Sequence, residues 1–391
     1  MVFGSNFKLE WNELKRFENL TDEERSIVFY VENESYFIYL KPIIRELTEK
    51  HKITVCYVTS SKTDPLLEPT KNILSFYIGD GTVRTKFFLN LKADVLVMTM
   101  PDLQTFHIKR SKIKNVNYMY VFHSAVSTHL VYRKESFDNF DTIFCTGNYQ
   151  IQEIQERELK YNLKKKKLIQ CGYSRLDDLL SEYETFKKTN KIIIKKNQIL
   201  IAPSWGENGL IETFGEDIIE ILLKYDYKII FRPHPMTIKK SSNLIQKIRK
   251  KYSDNEKFIF EDNIKTFDSF YSSECVISDW SGVAIEYAFT TKRPVLFIDV
   301  PKKMRNPEYG KISFVPLEDR IREQIGEILS PNEISKLDSM IQLMIENEEK
   351  YSKVIESIYH KIIFNIGNSA SVAANEILGI VNKQAEGNYS K

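Results

Sequence analysis

The sequence predicts an α/β protein of two successive parallel-sheet units, on three observations. Its 391 residues exceed one ordinary domain and allow two, each able to bury its own core. From Ser26 onward, short β-branched or aromatic runs alternate with longer segments of helical period, the pattern of a parallel sheet wrapped by helices. After a lysine-rich segment at 187–196 the same alternation begins again.

Taken in order, the runs of the first unit are SIVFYV from residue 26, ITVCYV from 53, ILSFYIG from 73, VLVMTM from 95, NYMYVFH from 117, TIFCTG from 142 and KLIQCGY from 167. Those of the second are QILIAPSW from 198, KIIFRPHP from 228, KFIFED from 257, CVISDWS from 275 and PVLFIDV from 294. Residues 331 to about 382 read as mostly helical, and NSASVAANEILG offers Asn368 or Ser369 as a start signal and Gly379 as a stop. Ahead of the first run, Phe3, Phe7, Trp11, Leu14 and Phe17 recur at spacings of three and four, one face of a helix. That face either docks on the protein core or lies on a membrane surface; Glu10, Glu13 and Glu18 share the other face with Lys8, Lys15 and Arg16.

A hydrophobic content of 42% with 12% aromatics describes a well-packed globular chain rather than a disordered or fibrous one. No apolar run approaches the roughly 20 residues needed to span a bilayer, and MVFGSNFKLEW lacks the pattern of a signal peptide, so a cytoplasmic protein is expected. Cys56, Cys145, Cys171 and Cys275 are widely spaced in β-like runs and read as reduced core residues. A net charge of +3 gives no signature for a nucleic-acid partner. Positive charge is instead local, in Lys164 to Lys167 and in KKTNKIIIKK, either as solvated loops or as an attraction for an anionic membrane face or a polyanionic acceptor.

In open α/β sheets ligands bind beyond the carboxyl ends of the strands, so the chemistry is sought there. The tetrapeptide Arg232-Pro233-His234-Pro235 ends an apolar run. Each proline biases the residue before it to extended geometry and removes a ladder donor, so Arg232 and His234 should lie on one side and suit an anion such as a phosphate. A strand-end turn capped by the histidine is the alternative. In CVISDWSGVAIEYAF, from 275, a strand leads through Ser278, Asp279 and Ser281 into a helix with Val283, Ala284, Tyr287 and Ala288 as its expected buried face. The free N–H groups at Ser281 and Gly282 make an anion site, unless the cluster only caps the helix. Glu286, one turn on from Gly282, falls where a nucleotide ribose would sit, and Ser204, near the end of QILIAPSW, joins it on the nucleotide side.

In the first unit His123 ends NYMYVFH, and a histidine of near-neutral pKa is a natural general base for a hydroxyl. His129 and His107 follow in loops and are weaker candidates. No Asp-x-Asp at a strand end, Walker lysine, Gly-x-Gly-x-x-Gly after the first strand or Gly-x-Ser-x-Gly elbow is present. Kinase, dehydrogenase and hydrolase readings lose ground, and neither a metal nor a cofactor is expected.

RPHP at 232–235 followed by SDWSGVAIEYAFTTKRPVLFID at 278–299 resembles the C-terminal half of the CDP-glycerol glycerophosphotransferase family, the teichoic-acid polymerases and primases and their capsule-building relatives. Upstream, His123 and the segment NFDTIFCTGNYQIQEI at 139–154 are similar to the family's first-domain stretch, so the likeness covers about 95 to 375. The resemblance implies a GT-B fold, two Rossmann-like domains facing a cleft with a C-terminal helix crossing back. It implies a donor diphosphate at His234 and Ser281, joined by Arg232 and Asp279, with His123 as the base. Ser124 stands where family members commonly carry glycine, a departure at the catalytic turn.

The expected organisation is an amphipathic helical segment at 1–25, an acceptor-side domain at 26–190, a nucleotide-donor domain at 191–365 and a returning helix with a tail at 366–391. The expected activity is transfer of a polyol phosphate, glycerol phosphate first, from a CDP-activated donor to a hydroxyl of a cell-surface polymer or lipid-linked primer. Location is in the cytoplasm or at the inner membrane face. A nucleotide-sugar glycosyltransferase, a nucleotide-sugar epimerase and a binding module without turnover are the alternatives.

Overall fold

A computed structural model of the chain describes residues 3–105, 108–189, 194–262 and 267–389. His107, the side chain of Phe3 and residues 190–193 of the lysine-rich segment lie outside the described residues. The apolar runs become strands: β1 (Ile27–Val31), β2 (Val55–Thr59), β3 (Ile73–Tyr77), β4 (Val95–Met98), β5 (Asn117–Val121), β6 (Thr142–Cys145) and β7 (Lys167–Gln170). They pair in the order β3-β2-β1-β4-β5-β6-β7. A second sheet takes β8 (Gln198–Ile201), β9 (Lys228–Phe231), β10 (Phe258–Phe260), β11 (Cys275–Ser278), β12 (Val295–Ile298) and β13 (Gly326–Leu329) in the order β10-β9-β8-β11-β12-β13. Every strand pairing in both sheets is parallel. β13 was not among the expected runs. It pairs with β12 so closely that a Cβ on Gly326 would stand 1.8 Å from the Val295 carbonyl oxygen, so only glycine fits there.

Successive residues of a strand point to opposite faces, and each sheet is apolar on both. In the first, Val28 and Tyr30 join one cluster with Tyr118 and Phe140, while Ile27, Phe29 and Val31 join another with Leu40 and Ile44. In the second, Ile199 and Ile201 pack with Phe231 and Ile277, and Leu200 and Ala202 pack with Ile230, Val276 and Phe297. That last cluster also holds Ala125, Tyr149 and Tyr173 from the first half, so the two halves share buried apolar surface.

Helix Ser174–Thr189 leads from the first sheet to the second and touches both Phe37–Arg45 and Gly282–Thr291. Its Asp178 pairs with Arg45 at 2.7 Å. Helix Ser369–Tyr389 returns to the first half, where Ala373, Ala374 and Ile377 are buried beside β1 and β4. Gly379 therefore does not end this helix as expected. A glycine stops a helix when the chain can turn away through a left-handed residue, whereas here Ile380 and Val381 still pack on the core and hold the helical course past it. Helix Phe3–Glu18 docks through Leu14 and Phe17, the latter against Phe76 and Phe87, while Phe7 stacks on Trp11 and stays 48% exposed. The lysine run is largely neutralised, with Lys164 on Asp141, Lys166 on Glu158 and Lys167 on Glu376.

Candidate active site

Strand order reverses between β1 and β4 and again between β8 and β11, which opens a crevice beyond the strand ends of each sheet. The two sets of strand ends meet at Ser124 and Gly282. A Cβ on Gly282 would stand 1.9 Å from the Ser124 hydroxyl oxygen and 3.6 Å from a Val126 methyl carbon. The start of helix Gly282–Thr291 thus rests on the turn that carries His123.

His123 and His234 are held in opposite tautomers by the backbone. His123 Nδ1 lies 3.3 Å from the Thr99 carbonyl oxygen, an acceptor only, so Nδ1 carries the proton and Nε2 keeps its lone pair. Tyr120 adds a contact at 3.4 Å, and the rings of Tyr36, Tyr39 and Tyr132 surround the imidazole with centroids at 5.4, 6.0 and 5.8 Å. Burial pushes its pKa down to about 4, with a smaller contribution from the Arg305 charge. His234 caps the helix Pro235–Lys240, and its Nδ1 accepts the Met236 N–H at 3.0 Å, so the proton sits on Nε2. Its pKa also falls to about 4, through burial first and then the charges of Lys303 and His123. One histidine offers a base, the other a donor.

Arg232 does not join His234 as expected. Its Nε donates to Glu261 at 2.6 Å and one terminal nitrogen to Ser269 at 2.7 Å, with the guanidinium over Phe267. The pre-proline geometry aligns the two backbones, but the buried cation, 4% exposed, turns to the nearest carboxylate. Asp279 is likewise occupied: it accepts the N–H of Ser204 at 2.7 Å and of Leu210 at 3.3 Å, a staple that fixes the loop after β8. Burial raises its pKa. Glu286 accepts from Tyr173 at 2.5 Å and is nearly buried. From Ala284 on its helix is covered all round, Ile285 and Phe289 as well as the expected Ala284, Tyr287 and Ala288, because the shared core closes over its outer side; Val283, also expected to be buried, is only partly so. Ser281 caps that helix, its oxygen 3.4 Å from the Val283 nitrogen.

Beyond β8, β11 and β12 lies a cavity of about 710 Å³ lined by Ser204, Trp205, Trp280, Met236, Lys240 and Lys303, among others. Three cations converge on the Trp205 ring: Lys303 at 4.3 Å, Lys240 at 4.5 Å and Arg305 at 5.1 Å from its centroid. Among the described residues none of the three has a carboxylate at ion-pair distance, and burial lowers the Lys303 pKa to about 8. Asp279 and Glu212 act on Lys303 from a greater distance and line the same cavity with Glu207, but three cations gathered on one ring still favour an anionic ligand. Sequence reasoning missed Lys303 and Arg305 because PKKMR reads as an ordinary loop, its position after an apolar run being the available signal, and missed Lys240 at the end of helix Pro235–Lys240. Among the described residues no three His, Cys, Asp or Glu side chains gather as a metal site, and no helix is long and apolar enough to cross a membrane.

Two parallel-sheet halves whose switch-point loops meet over paired histidines define a GT-B-type protein. The chain belongs to the CDP-glycerol:poly(glycerophosphate) glycerophosphotransferase family, whose model matches residues 16–305. The match begins further upstream than the motifs implied and ends at Arg305. A relative is the minor teichoic acid biosynthesis protein GgaB of Bacillus subtilis (strain 168), 25% identical over 275 residues, 59% of this chain. The match spans only 28% of that relative's length. Among solved structures the fold is similar to a variant of the wall teichoic acid polymerase TagF, with a TM-score of 0.60 at 16% identity over 98% of this chain and 97% of that one. It is also similar to UDP-GlcNAc 2-epimerase from Neisseria meningitidis, with a TM-score of 0.57 at 17% identity over 90% and 99%.

Proposed function

We propose that the protein transfers glycerol phosphate from CDP-glycerol to a hydroxyl of an anionic polymer or its lipid-linked primer, releasing CMP. The observation that carries this reading is the opposed tautomers of His123 and His234 at the meeting of the two sheets. His123 Nε2 takes the proton of the acceptor hydroxyl as its oxygen attacks the distal phosphorus. The bond from that phosphorus to the bridging oxygen breaks, and CMP leaves with the electron pair. The His234 Nε2–H, the N–H groups at Ser281 and Gly282, Lys303 and Arg305 face the charge that grows on the diphosphate, a role for fixed dipoles and cations.

A histidine pKa near 4 suits a base that waits neutral. The anionic donor raises it on arrival, so basicity appears when substrate is bound. The cavity beside Trp205 takes the donor, with Ser204 on its wall. Arg232, Asp279 and Glu286 keep places nearby as supports, since protein partners already hold them. A membrane-associated acceptor is supported by Phe7 and Leu9, 48% and 42% exposed on the first helix. A structure of TagF with CDPG supports the donor choice.

The test is a donor screen by mass spectrometry with CDP-glycerol, CDP-ribitol, CMP-sugars and UDP-sugars. CMP from a CDP-polyol alone is expected. Release of UDP, or an isomerised sugar nucleotide without any acceptor, would replace this reading with the glycosyltransferase or epimerase one.

A further inference from the structure

The segment 301–316 leaves β12 in the six-stranded half and crosses to the other half, where it binds a short stretch that begins four residues after His123. Arg305 N and Asn306 N both donate to the Leu130 carbonyl, at 3.0 and 3.3 Å. The Asn306 side-chain amide donates to the His129 carbonyl at 2.9 Å, while its oxygen accepts the Glu308 N–H at 3.0 Å. His129 Nε2 reaches the Phe314 carbonyl at 3.0 Å, and its Nδ1 lies 3.3 Å from Glu153. Glu153 itself accepts the Thr128 N–H at 2.6 Å and the Thr128 hydroxyl at 2.7 Å. Ser127 N donates to Glu318 at 3.1 Å, just past the far end of the segment. His129 and Asn306 are both 5% exposed.

Four consecutive residues, Ser127 to Leu130, are thereby tied through backbone atoms, and every tie except that of Thr128 goes to the opposite half. The residues so anchored include Arg305 and are close in sequence to Lys303, two of the three cations that lean on Trp205. At its other end the same stretch leads back through Val126 and Ser124 to the base. Buried hydrogen bonds of this kind fix geometry, because breaking one strands a desolvated partner.

The geometry points to His129 and Asn306 as positioning residues: they clamp the segment 301–316 onto the turn that carries His123 and so hold Lys303 and Arg305 at the donor cavity. The clamp itself is a claim about the protein alone. What the cations grip, the donor diphosphate, rests on the functional reading above.

The test uses the full chain with His129→Ala and Asn306→Asp. The second keeps size and the acceptor oxygen but replaces the amide donor with a carboxylate oxygen and so adds a negative charge, whereas the first adds none; an effect shared by both variants is the one that reports the clamp. Hydrogen exchange, CDP affinity by calorimetry and the split between KM and kcat for CMP release are read together. Expected are faster exchange confined to 301–316, CDP binding weaker by about tenfold, and a donor KM raised by a similar factor with kcat changed less. Unchanged exchange in 301–316, unchanged CDP affinity, or exchange that rises throughout the chain in Asn306→Asp would each overturn the clamp. If the wild-type chain binds CDP yet releases CMP from no CDP-polyol, the transfer reading fails while exchange and affinity still decide the clamp.

Discussion

Ser124 fills the space that a side chain on residue 282 would need: the hydroxyl oxygen lies 1.9 Å from where a Cβ would be built on Gly282. The serine that follows His123 thus meets a glycine across the junction of the two halves. Gly282→Ala is expected to cost about 1–3 kcal/mol of stability by overpacking and to lower CMP release. Adding Ser124→Gly opens the space, so the double variant should recover both. Urea unfolding and turnover of the single and double variants measure it, and an additive pair of effects would refute the contact.

His123→Ala should lower kcat by about 10²- to 10⁴-fold, the usual contribution of a general base, and leave CDP affinity near wild type because the base does not hold the nucleotide. His234→Ala should raise the barrier by about 2–4 kcal/mol through the lost donor. Full turnover in either variant, measured as CMP release, would sink the assignment.

Stability and activity should respond to acid in linked ways. His123 and His234 titrate near pH 4 in the folded chain, against about 6.5 when unfolded. Between those values the unfolded chain binds more protons, so stability rises with pH there. It is complete above about pH 6.5 and is lost as pH falls toward 4. Melting temperatures at pH 7 and pH 5 check the sign, and the difference should shrink in a His123→Asn/His234→Asn chain. For activity, kcat/KM should stay flat from neutral pH down to about 5, while kcat falls at a higher pH, because bound donor raises the pKa of His123.

Arg232 should behave as a structural residue. Arg232→Ala leaves Glu261 without its partner and is expected to cost about 3–5 kcal/mol, whereas Arg232→Met with Glu261→Gln should return much of it. Donor KM in the folded double variant separates the two roles: a rise of more than tenfold would restore Arg232 to the diphosphate site.

Much of the architecture was legible because parallel strands covered on both faces read as unbroken apolar runs. β13 escaped because GEIL holds only two apolar residues, and its Glu327 is satisfied by the Tyr351 hydroxyl from a distant helix. His123 and His234 were legible from strand ends and prolines. Arg232, Asp279 and Glu286 were legible as polar residues at strand and helix ends, but the contacts each makes depend on partners at Glu261, Ser204 and Tyr173, far away in sequence. Lys303 and Arg305 carried no periodicity or motif; their meaning comes from the aromatic ring they share.

Helix Ser369–Tyr389 supplies Ala373, Ala374 and Ile377 to the same cluster as Ile27 and Phe29 of β1. During synthesis, then, the half that emerges first must wait with one sheet face incompletely covered until residues 373–377 have been made. Among the described residues neither sheet contains a hairpin to nucleate it locally, and the parallel ladders join stretches separated along the chain. The nascent protein therefore passes through a period in which exposed β1 and β4 are vulnerable to aggregation, and final assembly of the first half waits for a segment made after the whole second sheet.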